Sequence, residues 1–205
     1  MVPRSKAAAP PVARSPEHFR KLIGVAMEFE RRTMQLYCRY EMLFPKPAEV
    51  RSFWFDMAEH ESRHYGALAM VAGLLECAPE RTLPVAPALT RDHVLHLRTL
   101  LDQAEAEARQ GLPLTRALET ALDVECSEID DLVLDLLSAL KGERERERAA
   151  HNVIHDLGDL SYIVEKFGNS RALLARVDRV IEQQVARLRA PAVRPVTPPR
   201  AARAR

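Results

Sequence analysis

The 205-residue chain has little glycine and no long apolar run. Only 7 glycines are present, while Ala, Leu, Glu and Arg are plentiful and long stretches contain no proline, a composition that favours helices over strands. No apolar run approaches the roughly 18 residues of a membrane span, and the first residues lack the apolar core of a secretory signal. We therefore expect an all-α cytoplasmic protein without a membrane partner.

The chain also has few cysteines and a net charge close to zero. The three cysteines, Cys38, Cys77 and Cys126, are odd in number and far apart, so they provide neither a disulfide framework nor a C-x-x-C metal knuckle. Reduced thiols in a reducing compartment fit this spacing best. Lys plus Arg number 30 against 29 Asp plus Glu, and this balance gives no reason to expect a nucleic-acid partner.

Both ends of the chain lack acidic residues and are rich in Pro, Ala and Arg, as in MVPRSKAAAPPVARSP and APAVRPVTPPRAARAR. We expect a disordered basic tail at residues 1–15, a helical domain at 16–188 and a disordered Arg/Pro-rich tail at 189–205. Two alternatives remain for the arginines. The first tail could mimic an organelle transit peptide, and the second could bind a nucleic acid or an encapsulating protein shell.

Apolar residues recur at helical spacing in several segments. The predicted helices span residues 16–44, 48–75, 91–109, 115–140, the charged run ERERER to 167, and 170–188. Thr90 is a predicted capping residue, and Gly111 and Gly168 are predicted stop signals. The 91–109 helix is polar and follows a proline-punctuated segment, which indicates a long crossover. The last helix is amphipathic and carries no candidate ligand.

Acids and a histidine interrupt the apolar faces of the four remaining helices. In chain order they are Glu30, then Glu61 with His64, then Glu125, then Asp156 with Asp159. A carboxylate buried without a partner is costly, so proteins usually neutralise it, pair it or bind a metal with it. If the four helices pack as a bundle, these side chains project into one core and together could hold a cation.

The acids repeat at a fixed interval. Glu61 follows Glu30 by 31 positions, and Asp156 follows Glu125 by the same interval. The E-x-x-H spacing places Glu61 and His64 on one helix face, one turn apart, where both can contact the same ion. The chain therefore reads as two helix hairpins of one design, each with a lone acid followed by an acid-x-x-ligand pair.

In these motifs the chain resembles the ferritin-like superfamily, and within it the rubrerythrin-type proteins, whose helices carry Glu, E-x-x-H, Glu and E-x-x-H. The resemblance covers most of residues 16–167. The segment AMEFERRTMQLY is similar to the first ligand helix of that family, and MAEHESRH is similar to the second. The resemblance implies a ferritin-like four-helix bundle with a long helical crossover between helices two and three and an extra C-terminal helix.

The resemblance also implies a dinuclear site that holds iron, with manganese as the other candidate. The implied ligands are Glu30 and His64 for one ion, Glu125 and Asp159 for the other, and Glu61 and Asp156 as bridges. The segment HDLGDLSY departs from the family because it has D-x-x-D in place of E-x-x-H, and each acid is shorter by about 1.5 Å. Glu128 or His155 could stand in as a ligand, and a His60–His64 zinc pair is a further alternative.

The activity that the resemblance implies is oxygen or peroxide reduction, or iron oxidation, by a homodimer. No C-x-x-C is available for a rubredoxin domain, so an external electron donor is expected. Tyr37 is the candidate catalytic residue, as a hydrogen-bond partner or radical relay, although a core tyrosine is the simpler role. The rival interpretation is a ferritin-like scaffold that binds one metal or none and serves a binding or structural role.

Overall fold

Residues 16–77, 90–126 and 143–189 are described by a computed structural model, and this part of the chain is helical. It comprises α1 (Pro16–Leu43), α2 (Ala48–Cys77), α3 (Arg91–Gln110), α4 (Leu114–Glu125), α5 (Glu143–Phe167) and α6 (Arg171–Arg189). No strand occurs among these residues, so the all-α prediction is confirmed for them. None of the six helices is both long enough and apolar enough to cross a membrane.

Several predictions concern residues outside the described ranges. The tail at 1–15 lies outside them, as does the tail at 189–205 apart from Arg189, which ends α6. The same holds for the proline-punctuated segment at 78–89. Of the helix predicted at 115–140, the structure describes α4 as far as Glu125, so Glu128 also falls outside.

Local signals in the sequence explain where α3 begins and ends. The side-chain oxygen of Thr90 accepts a hydrogen bond of 3.2 Å from the backbone N–H of His93, which satisfies one of the unpaired donors at the helix start. Gly111 follows the helix with a φ of 84°, a value that favours glycine. The helix predicted at 91–109 therefore matches the observed bounds to within one residue.

An aromatic cluster holds α1 against α2. Tyr37 and Tyr40 of α1 and Trp54 of α2 are fully buried, and the Trp54 ring lies 5.7 Å from the Tyr37 ring and 4.8 Å from the Tyr40 ring. Ring pairs at these separations add to the burial energy of their large apolar surfaces. The two helices are joined by a short connection and form an antiparallel hairpin, so the residues that α1 and α2 bury face a common interior.

The remaining helices complete the core around this hairpin. Helix α3 packs on α1 and buries Leu97 and Leu101. Arg32 of α1 forms ion pairs with Asp102 of α3 at 2.6 Å and with Glu105 of α3 at 2.8 Å. Helix α5 contacts α2, α4 and α6. Consequently α1, α2, α4 and α5 can each direct one face toward a shared interior.

Candidate metal centre

Four helices each place one carboxylate in the core. These are Glu30 on α1, Glu61 on α2, Glu125 on α4 and Asp156 on α5, and each residue is between 2% and 4% exposed. The helical periodicity that placed these acids on apolar faces in the sequence accounts for their burial. Because water cannot solvate such groups, each must be protonated, paired or bound to a cation.

Glu30, Glu61 and His64 converge to form the candidate centre. Among the described residues, they are the one set of three metal-ligating side chains whose ligand atoms all lie within 4.8 Å of one another. His64 Nδ1 is 3.6 Å from Glu30 Oε2 and 3.6 Å from Glu61 Oε2. Two ligand atoms bound to one ion at about 2.1 Å are typically separated by about 3–4 Å, so the observed distances fit a shared ion.

Two atoms of this centre are buried without a hydrogen bond. Glu30 Oε1 and His64 Nδ1 have no hydrogen-bond partner among the described residues. A buried polar atom left without a partner costs about 1–3 kcal/mol, and most such atoms in folded proteins are satisfied. Both atoms belong to residues of the converging set, so a cation bound there would satisfy them. The residues present therefore fit a metal ion.

Burial and mutual repulsion raise the pKa values of two of the buried acids, Glu61 and Glu125. Burial raises the pKa of Glu61 to about 8, and the neighbouring Glu30 carboxylate raises it as well. Burial likewise raises the pKa of Glu125 to about 8, with further contributions from the charges of Glu61 and Asp156. Glu61 and Glu125 thus retain protons near neutral pH when no cation is bound, and a cation would have to displace those protons.

His64 is perturbed by the same carboxylates. Burial disfavours the imidazolium form, but Glu30 and Glu61 outweigh it and raise the pKa of His64 well above its ordinary value. In the metal-free centre, protonation of the His64 ring supplies the positive charge that faces Glu30 and Glu61. A divalent cation supplies more positive charge at the same place and accepts the ring nitrogen as a ligand.

Tyr37 joins this region to the second half of the chain. Its hydroxyl donates a hydrogen bond of 2.8 Å to Glu125 Oε1, and burial, together with the Glu125 and Glu61 charges, raises the Tyr37 pKa well above its ordinary value. The phenol is therefore held in its neutral, donating form. Of the two roles predicted for Tyr37, this geometry fits hydrogen bonding, and the radical-relay role stays a prediction.

Asp156 and Asp159 lie in different surroundings. Asp156 is buried, with Oδ1 2.6 Å from His60 Nδ1. The Asp159 side chain is 51% exposed, and its Oδ2 lies 3.2 Å from Nδ1 of His155, itself 71% exposed. Asp159 was predicted to bind a second ion, but the structure does not bring it into the group of Glu30, Glu61 and His64.

The contact between His60 and Asp156 was not predicted from the sequence. His60 was considered as a partner of His64 in a zinc pair, an arrangement that would point Glu61 away from the site because adjacent residues on a helix point about 100° apart. A signal was nevertheless present. Helix α5 lacks the histidine of the second E-x-x-H motif, and α2 carries an additional one directly before Glu61. The His60–His64 pair has different partners, because His60 faces Asp156 and His64 faces Glu30 and Glu61.

Comparisons of the chain with protein-family models, with curated proteins and with solved structures find no match. The candidate centre must therefore be interpreted from the chemistry of its own side chains. That chemistry is two carboxylates and one imidazole in a buried setting, a mixed oxygen and nitrogen donor set that suits a divalent transition metal.

Proposed function

We propose that this chain is a ferritin-like, rubrerythrin-type protein that binds iron or manganese through Glu30, Glu61 and His64. The single observation that carries the proposal is the convergence of these three buried side chains within 4.8 Å, with Glu30 Oε1 and His64 Nδ1 unpartnered among the described residues. The donor set contains no thiolate, so it favours iron or manganese over copper(I) or a structural zinc.

The order of the helices supports the ferritin-like assignment. Helices α1 and α2 form one ligand-bearing pair, α4 and α5 carry the acids of the second, and α3 lies between the pairs in the chain and packs on α1. This is the helix order that a crossover four-helix bundle requires. In such bundles, ligands project inward from facing helices. Glu30, Glu61, Glu125 and Asp156 are buried, which supports an inward orientation of their side chains.

The proposed activity is the oxidation of iron or the reduction of oxygen or peroxide. A bound iron or manganese ion would supply the redox chemistry. The protein residues would bind and orient that ion, and Tyr37 would hold the Glu125 carboxyl in place beside it through their 2.8 Å hydrogen bond. Glu61 and Glu125 would release protons when the ion binds, because their pKa values of about 8 apply to the metal-free form. We propose a separate molecule as electron donor.

The test is iron oxidation by the full chain. Protein loaded anaerobically with Fe²⁺ is mixed with oxygen or with peroxide, and ferric absorbance is followed for the wild type, Glu30→Gln and Glu28→Gln. Glu28 is the matched control, because it lies on the same helix with its side chain 42% exposed. We expect Glu30→Gln to lower the rate at least about tenfold and Glu28→Gln to leave it unchanged.

Two outcomes would count against the proposed activity. A wild type that oxidises Fe²⁺ no faster than buffer while still binding it would favour the alternative of a metal-binding scaffold without redox chemistry. A wild type that binds no Fe²⁺ at all would favour a purely structural role for the bundle, and the acids of its core would then simply remain protonated.

A further inference from the structure

A second group of metal-ligating side chains lies where α2 meets α5. Its centre is Asp156 Oδ1, which is 2.6 Å from His60 Nδ1 and 3.8 Å from His155 Nδ1. His155 Nδ1 is in turn 3.2 Å from Asp159 Oδ2. Two carboxylates and two imidazoles thus extend from a buried oxygen to the surface of the bundle, in a group that shares no residue with Glu30, Glu61 and His64.

The two atoms at the centre of this group are not satisfied by hydrogen bonds. Asp156 Oδ1 and His60 Nδ1 are both buried and have no hydrogen-bond partner among the described residues, so their close approach lacks hydrogen-bond alignment. Asp156 is only 3% exposed, and solvent cannot serve its oxygen. A carboxylate oxygen and an imidazole nitrogen that face each other in this way can both be satisfied by one cation.

We propose that His60 and Asp156 bind a divalent transition-metal ion, with His155 as the third protein ligand and Asp159 beside it on the solvent side. Two imidazoles with a carboxylate form a donor set that accepts zinc, cobalt, manganese or ferrous iron. The inference extends the proposed function, because it places another ion in the same bundle, but it does not require Glu30, Glu61 and His64 to bind metal.

Binding requires a rearrangement, because the ligand atoms of His60, Asp156 and His155 do not all lie within 4.8 Å of one another. Ligand atoms at about 2.1 Å from an ion lie about 3 Å or more apart, so His60 Nδ1 and Asp156 Oδ1 must separate by a few tenths of an ångström. The His155 ring must turn toward Asp156, and it can do so because its side chain is 71% exposed. The ion would supply the positive charge that faces the buried Asp156 carboxylate, and the charges of Asp156 and Asp159 would balance it.

This arrangement accounts for the departure of α5 from the E-x-x-H pattern. The motif in HDLGDLSY ends in Asp159, which leaves α5 without an imidazole at that position. The structure instead brings two imidazoles close to Asp156, one from α2 and one from the preceding residue of α5. The second ion would then lie at the α2–α5 contact, nearer the surface than the resemblance to rubrerythrins implies.

The test is a Co²⁺ titration of the full chain that counts ions per chain by competition with a chromophoric chelator. The variants are His60→Ala, His64→Ala and, as control, His96→Ala, whose histidine is exposed on α3. We expect His60→Ala to bind one ion fewer than the wild type, His64→Ala to lose a different ion, and His96→Ala to match the wild type. His60→Gln is the second variant should His60→Ala not fold, because it keeps bulk and a donor beside Asp156.

The outcomes separate this inference from the proposed function. Loss of an ion in the His60 variant but not in His64→Ala supports the site at His60 and Asp156 and counts against the proposed centre. Loss in His64→Ala alone overturns the inference and leaves the proposed centre standing. A His60→Gln variant that folds, as judged by circular dichroism, and binds as many ions as the wild type overturns it as well.

Discussion

The Tyr37 hydroxyl on α1 donates a hydrogen bond of 2.8 Å to Glu125 Oε1 on α4. Tyr37 is fully buried and Glu125 is 4% exposed, so neither group has water as an alternative partner. The bond connects the first helix pair to the second at the level of the buried acids. It therefore contributes to the stability of the bundle and fixes the orientation of a carboxyl next to the candidate centre.

Replacing Tyr37 by phenylalanine should expose the contribution of that bond. The ring and its packing are retained, but Glu125 loses a buried partner, so we expect the free energy of unfolding to fall by about 1–3 kcal/mol in urea denaturation at neutral pH. Tyr40→Phe is the matched control, because the Tyr40 hydroxyl is also buried on α1 but has no hydrogen-bond partner among the described residues. Equal losses in the two variants would contradict the assigned role.

Replacing Glu61 by glutamine should separate metal binding from stability. The buried carboxylate is repelled by Glu30 and has a pKa of about 8, so a neutral amide of the same shape should stabilise the metal-free protein by roughly 1–4 kcal/mol at pH 8. The same change should abolish metal binding at the candidate centre of Glu30, Glu61 and His64. Urea denaturation in the presence of a chelator measures the stability, and Glu59→Gln, with its side chain 48% exposed on α2, is the control.

A Glu61→Gln protein that is less stable than the wild type in chelator would show that the carboxylate is well satisfied in the metal-free fold. The account of Glu61 as a strained ligand would then be wrong.

The stability of the metal-free protein should fall as the pH rises from about 4.5 to about 8. Glu61 and Glu125 have folded pKa values of about 8 against an ordinary value of 4.5, so over this window the unfolded chain loses protons that the fold retains. His64 acts in the same direction, because its pKa is also raised in the fold. Thermal melts in chelator across this range measure the effect, and added Mn²⁺ should flatten the dependence.

The raised pKa values of Glu61 and Glu125 apply to the metal-free protein, because a bound cation favours the deprotonated carboxylates. The comparison of melts with and without Mn²⁺ is therefore the decisive control. A metal-free melting temperature that rises steadily over the same window would contradict the assignment of raised pKa values to Glu61 and Glu125.

Arg32 should contribute to the docking of α3 on α1. Its side chain is 13% exposed and pairs with Asp102 and Glu105, so Arg32→Ala should lower the free energy of unfolding by about 1–3 kcal/mol. Arg31→Ala is the control, because Arg31 is exposed and donates a hydrogen bond of 3.1 Å to Gln35 one turn away; we expect a loss below about 0.5 kcal/mol. Chemical denaturation of both variants checks the difference, and similar losses would refute the role of Arg32.

Much of the helical architecture could be predicted from the sequence, because its signals are local. The apolar spacing, the Thr90 cap and the stop at Gly111 predicted a helix at 91–109, and the structure has one at Arg91–Gln110. The fixed interval between acids also singled out Glu30, Glu61, Glu125 and Asp156, all of which are buried. Helical periodicity assigns a residue to a face, and that assignment is enough to predict burial.

The pairing of side chains between helices could not be predicted, because it depends on how far each helix is rotated and translated against its neighbour. Asp159 follows Asp156 by one turn, yet its side chain is half exposed beside His155. His60 was considered as a partner of His64, and the structure places it against Asp156 across the α2–α5 interface. Tyr37 was recognised as a possible hydrogen-bond partner, but its acceptor, Glu125, lies 88 residues further along the chain.

The most direct test of the central claim is an anomalous difference map measured at the iron absorption edge, from crystals of the full chain grown anaerobically with Fe²⁺. The account predicts a peak about 2.0–2.5 Å from a carboxylate oxygen of Glu30, a carboxylate oxygen of Glu61 and a ring nitrogen of His64. A map with no peak between these three side chains, from protein that binds iron elsewhere or not at all, would contradict it.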